Sequence, residues 1–91
     1  MAKVIVTLEI MPENNEVNLD EIETKAKKAV KEKEGIINSV NREDVAFGLK
    51  KIIIKFAVDE NKGSPDPIAE GLEKEPDVAS AQITMVSRAL G

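Results

Sequence analysis

The sequence predicts an α+β domain in which a four-stranded antiparallel sheet carries two helices on one face, with its elements in the order β-α-β-β-α-β. Three observations lead there. Residues 3–10, 49–59 and 78–86 alternate apolar and polar side chains with the period of two that a half-buried strand requires. Two other stretches, beginning at Asn18 and Ser64, place helix N-terminal signals ahead of apolar residues at helical spacing. The chain is 91 residues long, enough for one small core and no second compartment, so one domain over residues 1–91 is expected. With right-handed crossovers, the economical closure of this order is the ferredoxin-like arrangement.

In the first strand Val4, Val6, Leu8 and Ile10 take one face and Lys3, Thr7 and Glu9 the other, interrupted only by Ile5. Met11-Pro12 and the polar run Glu13-Asn14-Asn15-Glu16 are expected to stop it, because proline brings no N–H to a ladder and asparagine favours turns. Asn18 followed by Glu21 resembles an Asn-led capping box, and Leu19, Ile22, Ala26, Ala29 and Val30 recur at helical spacing, so a helix of about 15 residues starts here. Its early acids and later lysines complement the macrodipole, and Glu21 with Lys25 and Glu23 with Lys27 are spaced to pair, which makes the lysine-rich face a solvated one. Gly35 is expected to end the helix in the left-handed conformation.

Ile36 to Asp44, with Ile37 and Val40 as its clear apolar members, reads as an edge strand. Leu49 to Asp59 reads as a central one, with Ile52, Ile54, Phe56 and Val58 inward and Lys51, Ile53 and Lys55 outward. Asp59-Glu60-Asn61-Lys62-Gly63 is turn chemistry, and Ser64-Pro65 supplies a cap and a first helical proline to a short second helix that turns Ile68, Leu72 and Gly71 toward the core. After the break at Pro76-Asp77, the last strand is expected to place Ala81, Ile83 and Met85 on one side and Ser80, Gln82 and Thr84 on the other. The open sheet face then carries Thr7, Glu9, Lys51, Ile53, Lys55, Ser80, Gln82 and Thr84.

Composition removes most chemistry. There is no cysteine, histidine or tryptophan, and Phe47 and Phe56 are the two aromatic residues. Neither a Ser-His-Asp nor a Cys-His centre can be assembled, and carboxylates alone favour hard cations over zinc or iron–sulfur clusters. The stretch from Asp59 to Glu70 has a faint likeness to a calcium loop, but its glycine comes one place early and Pro65 and Pro67 intrude. Glu43-Asp44 reads as a solvated turn, and no glycine-rich phosphate loop is present. The expectation is a protein that is not an enzyme and holds no cofactor or metal.

Partners narrow in the same way. Thirteen basic against seventeen acidic residues give a formal charge of −4, which removes the electrostatic term behind most nucleic-acid affinity. The outward strand positions also lack the aromatic residues on which an RNA-recognition module stacks bases. No apolar run approaches the roughly 20 residues that span a bilayer, and no secretory pattern follows Met1-Ala2-Lys3. A cytoplasmic location, with neither membrane nor nucleic acid in direct contact, is expected.

Two places resist a purely structural reading. Phe47 precedes Gly48 at the entrance to the central strand, so its ring either caps the core from the end of the sheet or is held out for contact. Arg88 follows the last strand, with Ala89-Leu90-Gly91 beyond it. The stretch Ala46-Phe47-Gly48-Leu49-Lys50-Lys51 resembles the motif of the guanine-nucleotide exchange domain of translation elongation factor 1-beta. Leu8-Glu9-Ile10-Met11-Pro12 with Glu16-Val17-Asn18-Leu19 is similar to the archaeal, single-domain form. Val58-Asp59-Glu60 and the ending from Val78-Ala79-Ser80 to Arg88 extend the likeness over essentially the whole chain.

The resemblance implies a single guanine-nucleotide exchange domain acting on elongation factor 1-alpha, the GTPase that delivers aminoacyl-tRNA to the ribosome. In eukaryotic members a basic residue near the C-terminus intrudes on the GTPase's magnesium site, and the aromatic of the Phe-Gly motif touches the partner. By position these roles fall on Arg88 and on Phe47, with Gly48 and Lys51 completing the partner-binding set. The eukaryotic residue is a lysine, a point charge, where this chain has the planar guanidinium of Arg88. From the residues alone, a second reading stands beside this one: a ferredoxin-like regulatory module that binds a small ligand or oligomerises through its open sheet face.

Overall fold

The alternating segments form one sheet of four strands, β1 (Lys3–Pro12), β2 (Ile36–Asp44), β3 (Lys50–Asp59) and β4 (Val78–Arg88). The helical segments form α1 (Leu19–Glu32) and α2 (Asp66–Glu73). This computed structural model describes residues 3–62 and 64–88, so expectations for Met1-Ala2, for the Gly63 end of the acidic turn and for Ala89-Leu90-Gly91 lie outside the described residues. The strand order is β2-β3-β1-β4 and every neighbouring pair is antiparallel, the ferredoxin-like topology expected from the element order.

The core lies between the sheet and both helices. Val6, Leu8 and Ile10 of β1 and Ile52, Ile54 and Phe56 of β3 are fully buried, against Ile22, Ala26 and Val30 of α1 and Ile68, Ala69 and Leu72 of α2. Burying a large apolar side chain contributes roughly 1.5–3 kcal/mol, and no described polar or charged side chain is spent inside this layer. Val78 and Ala81 of β4 complete it.

β1 runs two residues past the expected stop, because Pro12 pairs with Val78 of β4 and is itself buried, while pairing with β3 ends at Ile10. A proline is accommodated at that last position because no ladder bond on the β3 side needs its missing N–H. The Asn18 side chain caps α1 by accepting the Asp20 N–H at 2.9 Å, but Glu21 makes no return bond among the described residues. The paired charges on α1 also go elsewhere: Lys25 reaches Glu75 at 3.0 Å, and Glu23, with Asp20, accepts from Arg42 of β2. Tertiary partners thus replace the expected pairs within the helix.

The end of α1 differs in a way that changes the role of its glycine. Glu34, not Gly35, takes the left-handed conformation (φ 61°). The Gly35 N–H donates to the Val30 carbonyl and the Glu34 N–H to the Lys31 carbonyl, each at 2.9 Å, which is the Schellman closure. Gly35 is required by space instead, since a Cβ there would lie 2.7 Å from Val30 Cγ1 and 3.0 Å from Val58 Cγ1.

Three register shifts reset the strand faces, one of them early in β4, where Met11 faces Ser80 but Pro12 faces Val78 and Ala79 is the extra residue. In β2 the register shifts between Ile37 and Ser39, so Ile37 and Val40, three residues apart, stand opposite Phe56 and Ile54 on the helix side. The later shift in β4 falls between partners of Thr7 and Leu8: Ile83 stands opposite Leu8 but Met85 opposite Thr7, leaving Thr84 as the extra residue. Met85 therefore turns to the open face, contrary to the simple alternation, and Val86 and Arg88 turn to the helix side. On α2 the Ser64 hydroxyl accepts the Asp66 N–H at 3.1 Å, with Pro65 just ahead of the first helical residue. Gly71 is exposed, and Ala69 takes its place in the core.

Candidate functional site

β2 and β3 are joined by residues 45–49. The Leu49 N–H donates to the Ala46 carbonyl at 3.3 Å and the Val45 N–H to the Leu49 carbonyl at 2.8 Å. Phe47 (φ 63°, ψ 28°) and Gly48 (φ 76°) both adopt left-handed backbone, the pattern of a type I′ turn, whose twist matches that of the strands it connects. Glycine and asparagine take such positions at little cost, whereas an ordinary side chain costs roughly 1–2 kcal/mol. Phe47 recovers nothing from the fold, because its ring is 93% exposed. The core-capping alternative for Phe47 is therefore excluded. A large apolar side chain held on strained backbone in solvent is the kind of feature that clusters at functional sites.

The turn has a neighbour that the sequence did not single out. A Cβ on Gly48 would meet only the Asn15 side-chain amide, at 3.7 Å, so Gly48 is needed for conformation rather than space. The same distance places the loop after β1 beside the turn. No spacing rule links Asn15 to Gly48, and only the antiparallel pairing of β1 with β3 brings them to one end.

Lys51 stands one residue inside β3. Its ammonium donates to Glu9 Oε1 at 2.9 Å, a cross-strand bond between half-buried side chains on the open face. That bond, and the nearby negative charge of Glu9 and Glu43, hold Lys51 above the ordinary lysine pKa, against a smaller desolvation effect. Lys51 is thus committed to joining β3 to β1, close behind the Phe47 turn.

Arg88 lies elsewhere. It ends β4 opposite Val4, its side chain is 75% exposed, and its guanidinium stands 3.4 Å from Glu60 Oε2 in the short turn after β3. An exposed pair of this kind is worth at most about 1 kcal/mol, so Arg88 is readily released to another acceptor. Val4 is paired with Val58 near the far end of β3, so Phe47 and Arg88 occupy opposite ends of the sheet. At about 3.3 Å per residue the separation is roughly 30 Å. Phe47, Gly48 and Lys51 share one end; Arg88 stands apart.

Elsewhere the described surface exposes Ile36 of β2 and Met85 and Val86 of β4. A groove of about 600 Å³ runs between the helices over Ala29, Ile68, Gly71 and Leu72, with the Lys25–Glu75 pair on its rim. Among the described residues no group of acidic side chains is arranged to hold a metal ion, and no helix is long and apolar enough to cross a membrane.

The profile of the EF-1 guanine nucleotide exchange domain matches residues 5–89. A protein named elongation factor 1-beta from Pyrococcus horikoshii is 44% identical over 84 residues, covering 89% of each chain. The protein of that name from Methanococcus aeolicus is 34% identical over 87 residues, covering 96% of this chain and 98% of its own. Among solved structures, the C-terminal domain of MgtC from Mycobacterium tuberculosis aligns over 98% of this chain and 88% of its own, with a TM-score of 0.64. At 8% identity that likeness concerns the fold alone. The match across nearly the whole chain, on a fold that presents Phe47 and Arg88 at its two exposed ends, places this protein in the elongation factor 1 guanine-nucleotide exchange domain family.

Proposed function

We propose that the chain is a guanine-nucleotide exchange factor for elongation factor 1-alpha, accelerating GDP release and permitting GTP reloading through protein–protein contact in the cytoplasm. The observation that carries this reading is Phe47: on strained left-handed backbone at the motif position it stands 93% exposed, which folding does not explain and partner contact does. An exchange factor needs no nucleophile or general base. It has to bind the nucleotide-free GTPase more tightly than the loaded one, and this difference in affinity shifts the partner's equilibrium toward release.

In this reading Phe47, with Gly48 and Lys51 beside it, anchors the partner, and Arg88 at the far end approaches its nucleotide site. A guanidinium near bound Mg²⁺ repels the ion and competes for its acidic ligands. Exchanging Glu60 for those ligands costs Arg88 little. The partner is a protein and the contact requires no nucleic acid. The experiment is release of fluorescent GDP from loaded elongation factor 1-alpha: the folded chain should accelerate it in proportion to concentration. Phe47→Ala and Arg88→Ala should each slow it with native circular dichroism, and unchanged rates in both variants would put the site elsewhere.

A further inference from the structure

The two edges of the sheet are built differently. Both edges carry bulges, but on β2 the exposed Arg42, Glu43 and Asp44 add charge that protects the edge from added strands, and its exposed Ile36 stands at the first residue. On β4 the residues from Val78 to Ser87 include no charge and no proline. The first part of β4 lies under α2, but every residue from Thr84 to Arg88 is exposed, because an eight-residue helix of about 12 Å stops short of an eleven-residue strand. In that free portion Met85 is 62% exposed on the open face and Val86 is 53% exposed on the helix side.

Apolar exposure on both faces of one edge strand is not covered by a flat partner surface, which reaches one face. It is covered by another strand, whose alternating side chains lie on both faces while its backbone satisfies the outward N–H and C=O groups. We propose that residues Thr84–Arg88 of β4 are a strand-addition site for an extended segment of the GTPase, apolar at the two adjacent positions beside Met85 and Val86 and acidic beside Arg88. This rests on the exchange reading, in which Arg88 approaches the nucleotide site: the backbone that Arg88 terminates then runs along a segment bordering that site. Pairing that segment with β4 holds it away from the nucleotide, a contact available only in the released state. The differential affinity that exchange requires follows from it.

The test is amide hydrogen exchange of the ¹⁵N-labelled chain, free and bound to nucleotide-free elongation factor 1-alpha, with GDP release measured on the same samples. β4 is an edge strand with no strand on its outer side among the described residues, so alternate amides of Thr84–Arg88 should slow by at least about tenfold in the complex. Accelerated release with unchanged exchange across Thr84–Arg88 overturns strand addition and leaves the exchange reading standing. Absence of accelerated release overturns both. Protection of the same amides in the chain alone, rising with concentration alongside a dimer in sedimentation, assigns the edge to a second copy and overturns the proposal.

Discussion

Phe47 separates what a residue does for the fold from what it does for a partner. Its ring is 93% exposed, so replacing it removes no burial, while asparagine relieves part of the left-handed strain. Phe47→Asn is expected to raise the unfolding free energy by up to about 1 kcal/mol while slowing nucleotide release. Urea denaturation beside the release assay checks both halves, and a loss of stability would show that the ring supports the fold after all. Gly35 is the opposite case. A methyl group there meets Val30 Cγ1 at 2.7 Å, Val58 Cγ1 at 3.0 Å and the Val30 carbonyl at 3.1 Å, contacts that flexible side chains do not relieve together. Gly35→Ala should destabilise by about 1–3 kcal/mol, read as a lower urea midpoint at unchanged slope. The sequence marks both residues as unusual but not why. A glycine at a helix end suggests backbone freedom, and only the packing of β3 against α1 reveals that space is the constraint.

At the scale of elements, side chains join segments that the sequence lists far apart. Arg42 ties β2 to the first turn of α1, Lys25 ties α1 to the turn after α2, and Lys51 ties β3 to β1. The Glu9 bond raises the pKa of Lys51, and the Glu75 bond raises that of Lys25, so the folded chain holds both protons more tightly than the unfolded chain. Their stabilisation is therefore complete below the ordinary lysine value and is lost only as pH climbs through the raised ones. The urea midpoint of the wild type should exceed that of Lys51→Met by a constant margin from pH 7 to about 10, and the margin should close at higher pH. A margin that closes toward acid instead would assign it to another group. Such pairs are hidden from the sequence because spacing within α1 offers each charge a local partner, and the tertiary partner wins. The strands themselves were legible wherever alternation was unbroken, as in β1 and β3. They misled where a bulge intervened: one extra residue at Thr84 sends Met85 to the open face and aims Arg88 along the helix side.

The molecule as a whole measures 42 × 21 × 17 Å, and its long axis is what gives the two candidate contacts separate roles. The β2–β3 turn and the end of β4 lie at opposite ends of any β-α-β-β-α-β sheet of this strand order, so the separation was already implicit in the topology. What the topology does not contain is the exposure of Phe47 or the ease with which Arg88 leaves Glu60. Residues roughly 30 Å apart on one rigid sheet share no side-chain neighbours, and effects at such distances add as free energies. If Phe47 anchors the partner and Arg88 acts at its nucleotide site, the two substitutions should alter different quantities. Phe47→Ala should raise the half-saturating concentration of the chain in the release assay at little cost to the maximal rate. Arg88→Ala should lower the maximal rate at nearly unchanged half-saturation. The double variant should then lose efficiency by the product of the two single losses. A double variant no slower than the worse single one would mean that both ends act in one step, with docking of Phe47 required before Arg88 contributes anything, and the division of roles along the sheet would have to be abandoned.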